Sequence, residues 1–596
     1  MICWESSRQR RLLFWLIPLL GIFILGGAAE AQAPVPLRPP TAPPAEVSPP
    51  LVTGPPSENP YPVETIAEGI SSGVLGELDF AAAGLLTPQN GGFGPDMWRG
   101  ADRAFVEKLL ATLPVTTPYP TLQKLTQRLL LSAADPPSGP SSGVSFLALR
   151  LGRLIDAGQF ETAAQMAALA GPARDEALAQ VRAQLALASN DIKPACLMAA
   201  EYVKTSSAAF WLKLSGFCHI LNGDETAAQL SASLAAETDP DDTAYQTLLT
   251  ALISKSSKLP KSLPPLDIIH LAMIRFASLP LPSPISDSAS AGELKMMAHM
   301  PGASVETRLP AAERAEAAGA IGPEEVLQLY SELPFSVEDR ARARDLAQKL
   351  PAAKANALMF QSVRGQDSPA SLALALSAGL SMARASNSFA TFARVNLTPI
   401  RDLAPTPDLL EIAPIMGRAL LAAGDPAAAR RWYDLALSLS RPGNNPVAAR
   451  TAQELWPLLR LALPPEAMPD DPAEISTWLA LLKPEEKASK GLLVLSALSA
   501  LGHATPEAEW INMMGNSGGP EPDAIAPVAL LHLLMEASQS GRVGQTVLLS
   551  LICLGDEGKR LREPFMLGLT LRALQTVGLG VEARALALET ALLAGI

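Results

Sequence analysis

The sequence predicts an all-α protein, an α-solenoid of stacked antiparallel helix pairs, and three observations carry that expectation. Hydrophobic residues make up 48% of the 596 residues but aromatics only 5%; long Ala/Leu runs pack slender helices closely and leave strands few of the β-branched and aromatic side chains they prefer. A turn-and-helix unit with a constant Gly-to-Ala spacing returns along the chain. The 54 prolines must sit mostly between helices, because proline removes a helix-interior hydrogen bond and clashes with the preceding turn. A single compact globule of this length would be unusual, which favours an elongated array or several domains.

Residues 1–33 read as an export signal. Arg8, Arg10 and Arg11 form a basic start, Leu12 to Leu25 a charge-free apolar core, and Ala31-Gln32-Ala33 a small-residue cleavage site. Cleavage is expected after Ala33. The alternative is a retained anchor, since Leu12 to Ala29 approaches the length of a short spanning helix, but Pro18, Gly21, Gly26 and Gly27 favour the signal. Cys3 precedes the apolar core, the wrong place for a lipid-bearing cysteine, so a soluble periplasmic chain is expected. Residues 34–63 follow as a linker: twelve prolines between Pro34 and Pro62 favour extended polyproline conformation and cannot bury a core.

An N-terminal helical array is expected over 64–258. The Gly/Pro-containing stretch Gly84 to Trp98 reads as a loop packed on the amphipathic run Ala101 to Leu113, where Phe105, Leu109 and Leu113 recur every four residues beside Val106 and Leu110. Trp98 is read as an aromatic closing the first layer of helices. The recurring unit is clearest in Leu151 to Ala170, where Gly158 ends one helix, Ala163 lies five residues on in the next and Ala170 a further seven. Gly223, Ala228 and Ala235 repeat these steps. A Pro-punctuated middle follows over 259–310: Pro260, Pro264, Pro265, Pro280, Pro282 and Pro284 surround a short apolar helix, Leu266 to Ser278. It reads as a bend, a hinge or an irregular repeat. In the C-terminal array, 311–596, Gly424, Ala429 and Ala436 keep both steps, Gly578 keeps the first with Ala583, and Gly541 places Thr546 at the first small position.

This unit resembles the tetratricopeptide family. The resemblance covers the turn and second helix of roughly five units, none with the family's full set of aromatic and proline positions. Gly502, Gly541 and Gly578 stand 39 and 37 residues apart, close to the family's period, while Gly223 to Gly424 holds no clean copy and divergent units are expected there. Unrelated Ala-rich hairpins are the alternative, and they too give an all-helical fold. The segments Gly84 to Trp98 and Trp211 to Glu237 also resemble uncharacterised exported proteins of alphaproteobacteria, a resemblance that implies no activity.

Cys196 falls on a helix beginning near Pro194 and Cys218 on the next, Phe210 to Leu221, with the turn near 204–208. Residues equidistant from the turn of an antiparallel hairpin lie side by side, so a Cys196–Cys218 disulfide is expected in an oxidising compartment, contributing roughly 3 kcal/mol. Cys553 reads as a small buried apolar residue.

No catalytic, cofactor or metal site is expected. Gly515-Asn516-Ser517-Gly518-Gly519-Pro520 resembles the nucleophile loop of trypsin-like proteases, but the nearest upstream histidine, His503, lies on or near a helix, so a loop between helices is the reading. Cys218-His219 lacks a second close ligand pair. His219, His270, His299, His503 and His532 are dispersed and read as structural. Asp241-Asp242, Glu324-Glu325 and Glu485-Glu486 fall at helix starts, where carboxylates meet the positive end of the dipole. No phosphate-cradling glycine motif joined to a lysine is present. A net charge of −12 without a basic cluster after the signal argues against nucleic acid.

The expected role is a non-catalytic periplasmic scaffold or adaptor that holds a protein partner in the cell envelope through its helical-repeat surface. Trp211, Arg430, Arg431 and Trp432 are candidate contacts, each weighed against a structural role. The alternative is a peptidoglycan-related envelope enzyme or a glycan-binding protein on a helical scaffold.

Overall fold

The computed structural model describes residues 80–171, 175–260, 263–440, 445–468, 471–514 and 523–596. The export signal, the Pro-rich linker and the Gly515–Pro520 fragment lie outside them. Among the described residues the chain is a succession of helices, with no strand beyond the isolated bridges Leu86–Ser132 and Asp102–Ser138.

The sequence unit is a physical one. Gly158, Gly223, Gly424, Gly541 and Gly578 all take positive φ, between 67° and 83°, a left-handed cap that glycine adopts without a Cβ clash. After each, the next amide reaches back five residues to close the helix end: Gln159 to Leu154, Asp224 to His219, Asp425 to Leu420, Arg542 to Ala537 and Leu579 to Leu574, all at 2.8–2.9 Å. The residues five positions on from these glycines, Ala163, Ala228, Ala429, Thr546 and Ala583, are fully buried, as are Ala170, Ala235, Ala436 and Thr590 seven further along. Small side chains here set how closely paired helices approach.

The same turn recurs without glycine. Asn190, Lys255, Ser278 and Asn387 stand at φ 51–62°, and the amides after them bond back to Ala186, Ala251, Ile274 and Ala383 at 2.8–3.0 Å. Three of these four fall between Gly223 and Gly424 and supply the divergent units of that stretch. Within 259–310, helices Ile268–Phe276 and Ala291–Ala298 pack on the Glu176–Ala188, Phe146–Asp156 and Val305–Ala317 helices. The described chain belongs to one compact unit, Leu75–Ile596.

The array closes on itself. The Pro120–Leu131 helix packs against the Val543–Leu554 and Gly580–Leu593 helices, and the turn Pro95–Trp98 lies on Val543–Leu554. Trp98 is buried there, edge-on to Phe146 at 6.1 Å. A Cβ on Gly544 would come within 2.7 Å of the Met97 carbonyl oxygen, so the contact needs glycine. Across the same seam the Glu589 carboxylate accepts the Thr121 N–H at 3.1 Å and hydroxyl at 2.8 Å, and Arg128 pairs with Glu582. Arg150, buried, donates to the carbonyls of Leu130, Ser132, Ala81 and Ala83 at 2.7–3.1 Å, fastening the first described segment to the end of the Pro120–Leu131 helix.

Candidate functional site

The disulfide joins Cys196 on the Ile192–Tyr202 helix to Cys218 on Ala209–Leu221, with Cα atoms 5.7 Å apart. Cys553 is buried, and burial pushes its thiol up to about 11, leaving no thiolate for chemistry near neutral pH.

Beside that hairpin lies a charge cluster the sequence did not reveal. Lys213, buried on Ala209–Leu221, binds Asp239 at 2.7 Å and also Asp242. Asp242 caps the Thr243–Ile253 helix by accepting the Tyr245 N–H at 3.0 Å, and its Oδ2 faces His270 Nε2 at 3.1 Å. His270 Nδ1 accepts the Asp267 N–H at 2.9 Å, and Asp267 in turn accepts the His270 N–H at 2.9 Å. Burial would raise Asp242, but hydrogen bonds from His270 and Lys213 hold it well below the carboxylate range. Burial would lower Lys213, and its bonds to Asp239 and Asp242 raise it instead.

Asp242, Asp267 and His270 bring potential ligand atoms within 4.8 Å of one another, so the cluster can be tested as a cation site. The fit is poor. The Nδ1 lone pair is taken by a backbone N–H, Nε2 carries the hydrogen that points to Asp242, and the Lys213 ammonium already occupies that carboxylate. The arrangement satisfies charges where helices cross; it does not converge on an empty position. The only local signal for it was a pair of helix caps, Asp242 and Asp267, which sequence reading treats separately.

A second buried network stands in the middle of the chain. Glu316 accepts Arg394 Nη2 at 2.8 Å and the Thr391 hydroxyl at 2.6 Å. Glu313 accepts Asn356 Nδ2 at 3.0 Å and the Tyr330 hydroxyl at 2.5 Å, and burial raises its carboxyl. Glu293 is pushed up to about 7, mainly by burial, and Asp156 is raised for the same reason. Glu293 spends its carboxylate on the Ser290 N–H at 2.9 Å as half of a capping box. The paired acids Glu324-Glu325 and Glu485-Glu486 stand in first helical turns, as their positions predict.

Of the four candidate contact residues, two need correction. Trp211 and Trp432 are fully buried and cannot meet a partner in this fold. Trp211 stacks on Tyr202 at 4.8 Å and donates to Glu176 at 3.0 Å, while Trp432 lies among the largest buried side chains of the core. Arg430, half-buried, is engaged by Asp434 at 2.7 Å and by the Ala467 carbonyl at 3.0 Å. Arg431 remains exposed, with one bond to the Arg401 carbonyl.

A groove lies elsewhere among the described residues. A cleft of about 680 Å³ runs between the Pro369–Ala385, Ala413–Ala422, Pro446–Ala462 and Pro472–Leu481 helices and adjoins a second of about 500 Å³. Arg384, Arg418, Arg450 and Lys490 line the larger one against two carboxylates, Glu454 and Glu486. Arg450 meets Glu454 at 3.0 Å and Lys490 meets Glu486 at 3.0 Å. Arg418 reaches the same Glu454 only at 3.6 Å, and burial pulls its guanidinium below the usual arginine range against the attraction of that carboxylate. No sequence signal marks this site, because its residues come from helices far apart along the chain.

Comparison with known proteins finds no matching family, no matching curated protein and no matching solved structure. Fold and surface define a class, an all-α helical-repeat protein with a surface suited to protein–protein contact.

Proposed function

We propose that this chain is a periplasmic scaffold or adaptor of tetratricopeptide-like build, which holds a protein partner in the cell envelope without chemistry of its own. The observation that carries the reading is the groove lined by helices of successive pairs, a form of surface that helical repeats offer to partners. The buried charges are spent on one another and on helix ends, as support for that surface. Export rests on residues 1–33, and the Cys196–Cys218 bond accords with an oxidising compartment.

The test is crosslinking of the tagged protein in its native host, followed by mass spectrometry of the captured material under non-reducing conditions. Reproducible enrichment of one envelope complex supports the scaffold; recovery of no protein partner overturns it. The second reading, a peptidoglycan-related enzyme or glycan-binding protein, draws on one observation, the raised carboxyls of Glu293 and Asp156. Burial is the main cause of both shifts, and the Glu293 carboxylate is already engaged in a helix cap, which leaves the scaffold ahead.

A further inference from the structure

We propose that the groove beside Arg384, Arg418 and Arg450 is the docking site for an extended acidic peptide segment of a protein partner; the proposal rests on the scaffold reading and names where and what that scaffold binds. Charge complementarity is the first argument. In a chain of net charge −12, the larger cleft gathers four cationic side chains against the side-chain carboxylates of Glu454 and Glu486 and the main-chain oxygen of Ile596, while the adjoining one adds Glu411, and Glu454 is shared by two arginines.

The second argument is unspent hydrogen-bonding capacity. A guanidinium carries five N–H donors. Arg384 gives one to the Gly595 carbonyl at 3.0 Å and meets no other acceptor among the described residues. Arg418 gives Nε to the main-chain oxygen of Ile596 at 3.0 Å and otherwise, among the described residues, has only the long contact to Glu454. Planar donors of this kind match carboxylates in pairs. Holding Arg384 there takes a fitted neighbour: a Cβ on Gly595, itself at φ 74°, would press within 3.0 Å of the guanidinium.

The third argument is size and lining. The two adjoining clefts share Pro446, Arg450 and Glu454, and together they exceed the roughly 300–1,000 Å³ of a small-molecule pocket. Trp478, Leu481 and Leu482 give one wall apolar character, and Leu481 is exposed. A chain with acidic residues and intervening aliphatic ones satisfies both the charges and that wall.

The experiment uses the full-length purified protein and two fluorescein-labelled octapeptides, one alternating Glu and Leu, the other Gln and Leu, read by fluorescence anisotropy. The double variant Arg384→Glu/Arg450→Glu changes two exposed side chains, and circular dichroism checks its fold. The expected result is saturable binding of the Glu peptide alone, weakened by added salt and at least about tenfold by the double variant. Equal binding of both peptides, no binding of the Glu peptide, or affinity untouched by the double variant overturns the proposal. So does tight binding of an oligogalacturonate probe where the Glu peptide binds none, which assigns the groove to an anionic glycan. In-cell crosslinking of the same variant separates the two claims. Partner capture that survives the double variant refutes the groove and leaves the scaffold standing, whereas peptide binding without any captured partner refutes the scaffold and leaves an acidic-ligand site.

Discussion

The seam where the array closes should respond to pH through Glu589. Burial is the main cause that pushes its carboxyl up to about 7, against the opposing hydrogen bonds from Thr121. A carboxyl that titrates near 4.5 unfolded and near 7 folded binds more protons in the folded state across that window. Its contribution is thus fully present below about pH 4.5 and lost as the pH rises through about 7. At 1.36 kcal/mol per tenfold change in proton affinity, the ceiling is about 3 kcal/mol, and the partial exposure of the side chain lowers the expectation to about 2 kcal/mol. Glu589→Gln abolishes the titration while keeping an amide oxygen for Thr121. Amide exchange of the Pro120–Leu131 helix, corrected for intrinsic rates, reads the opening free energy of the seam directly. Protection of that helix in the natural chain should fall by about 2 kcal/mol between acid and alkaline conditions, and the variant should show almost no fall. Equal slopes in the two proteins would refute the assignment. Glu293, also pushed up to about 7, sits on the Ala291–Ala298 helix and supplies an internal control, since its titration should register there in both proteins.

Three further outcomes follow from the packing. Replacing both Cys196 and Cys218 by Ser should lower the unfolding free energy by roughly 3 kcal/mol, from a bridge spanning 22 positions; an unchanged denaturant midpoint would show that the bond does not constrain the unfolded chain. Gly544→Ala should cost about 1–3 kcal/mol by forcing the Met97 carbonyl away, with lost exchange protection confined first to residues 95–131; full protection there would mean the seam tolerates a Cβ. Lys213→Met strips the Asp242 carboxylate of its cation and should destabilise by about 3–5 kcal/mol, with Asp242 titrating higher by NMR, and an unaltered titration would dismiss the cluster as a coupled unit.

How much of this was legible depended on whether the physics was local. The Gly158 to Ala163 to Ala170 steps could be read because a left-handed cap favours glycine and a close helix crossing favours a small side chain, two constraints that act within one turn and its following helix. Where Lys255, Ser278 or Asn387 carries the cap, backbone geometry is the same but the residue signal disappears, so the repeats between Gly223 and Gly424 were anticipated without being located. The Cys196–Cys218 pair was legible because hairpin symmetry about the turn is a local relation too. Trp211 and Trp432 went wrong for the converse reason: an aromatic beside a repeat turn has the same sequence pattern whether it points outward or into the next layer, and here both are core. The seam and the groove left no trace, since Thr121 meets Glu589 across 468 positions and the groove joins Arg384 to Lys490 and Ile596.

The closed seam changes what kind of surface this helical-repeat chain presents. In an open repeat array each terminal unit exposes one helix face that would otherwise be stacked, and solubility then requires polar capping repeats at both ends. Here the first and last described helices serve as each other's cap: Trp98, Tyr119 and Leu122 are buried at one end, Val547, Leu561 and Leu586 at the other, and Tyr119 lies against Gly558 so closely that a Cβ there would stand 3.0 Å from its ring. Among the described residues these two ends cover much of each other's apolar surface, which disfavours self-association by end-to-end stacking. The surface left open is thereby moved from the ends of the array to its flanks, where the Arg384, Arg418 and Arg450 groove proposed above opens beside the residues that follow the Gly580–Leu593 helix, the helix that carries Glu582 and Glu589 to the seam. One helix thus serves both the closure and the groove's border, so a perturbation that loosens the seam should also weaken peptide binding, and Glu589→Gln gives the means to measure that coupling as a change in both at alkaline pH.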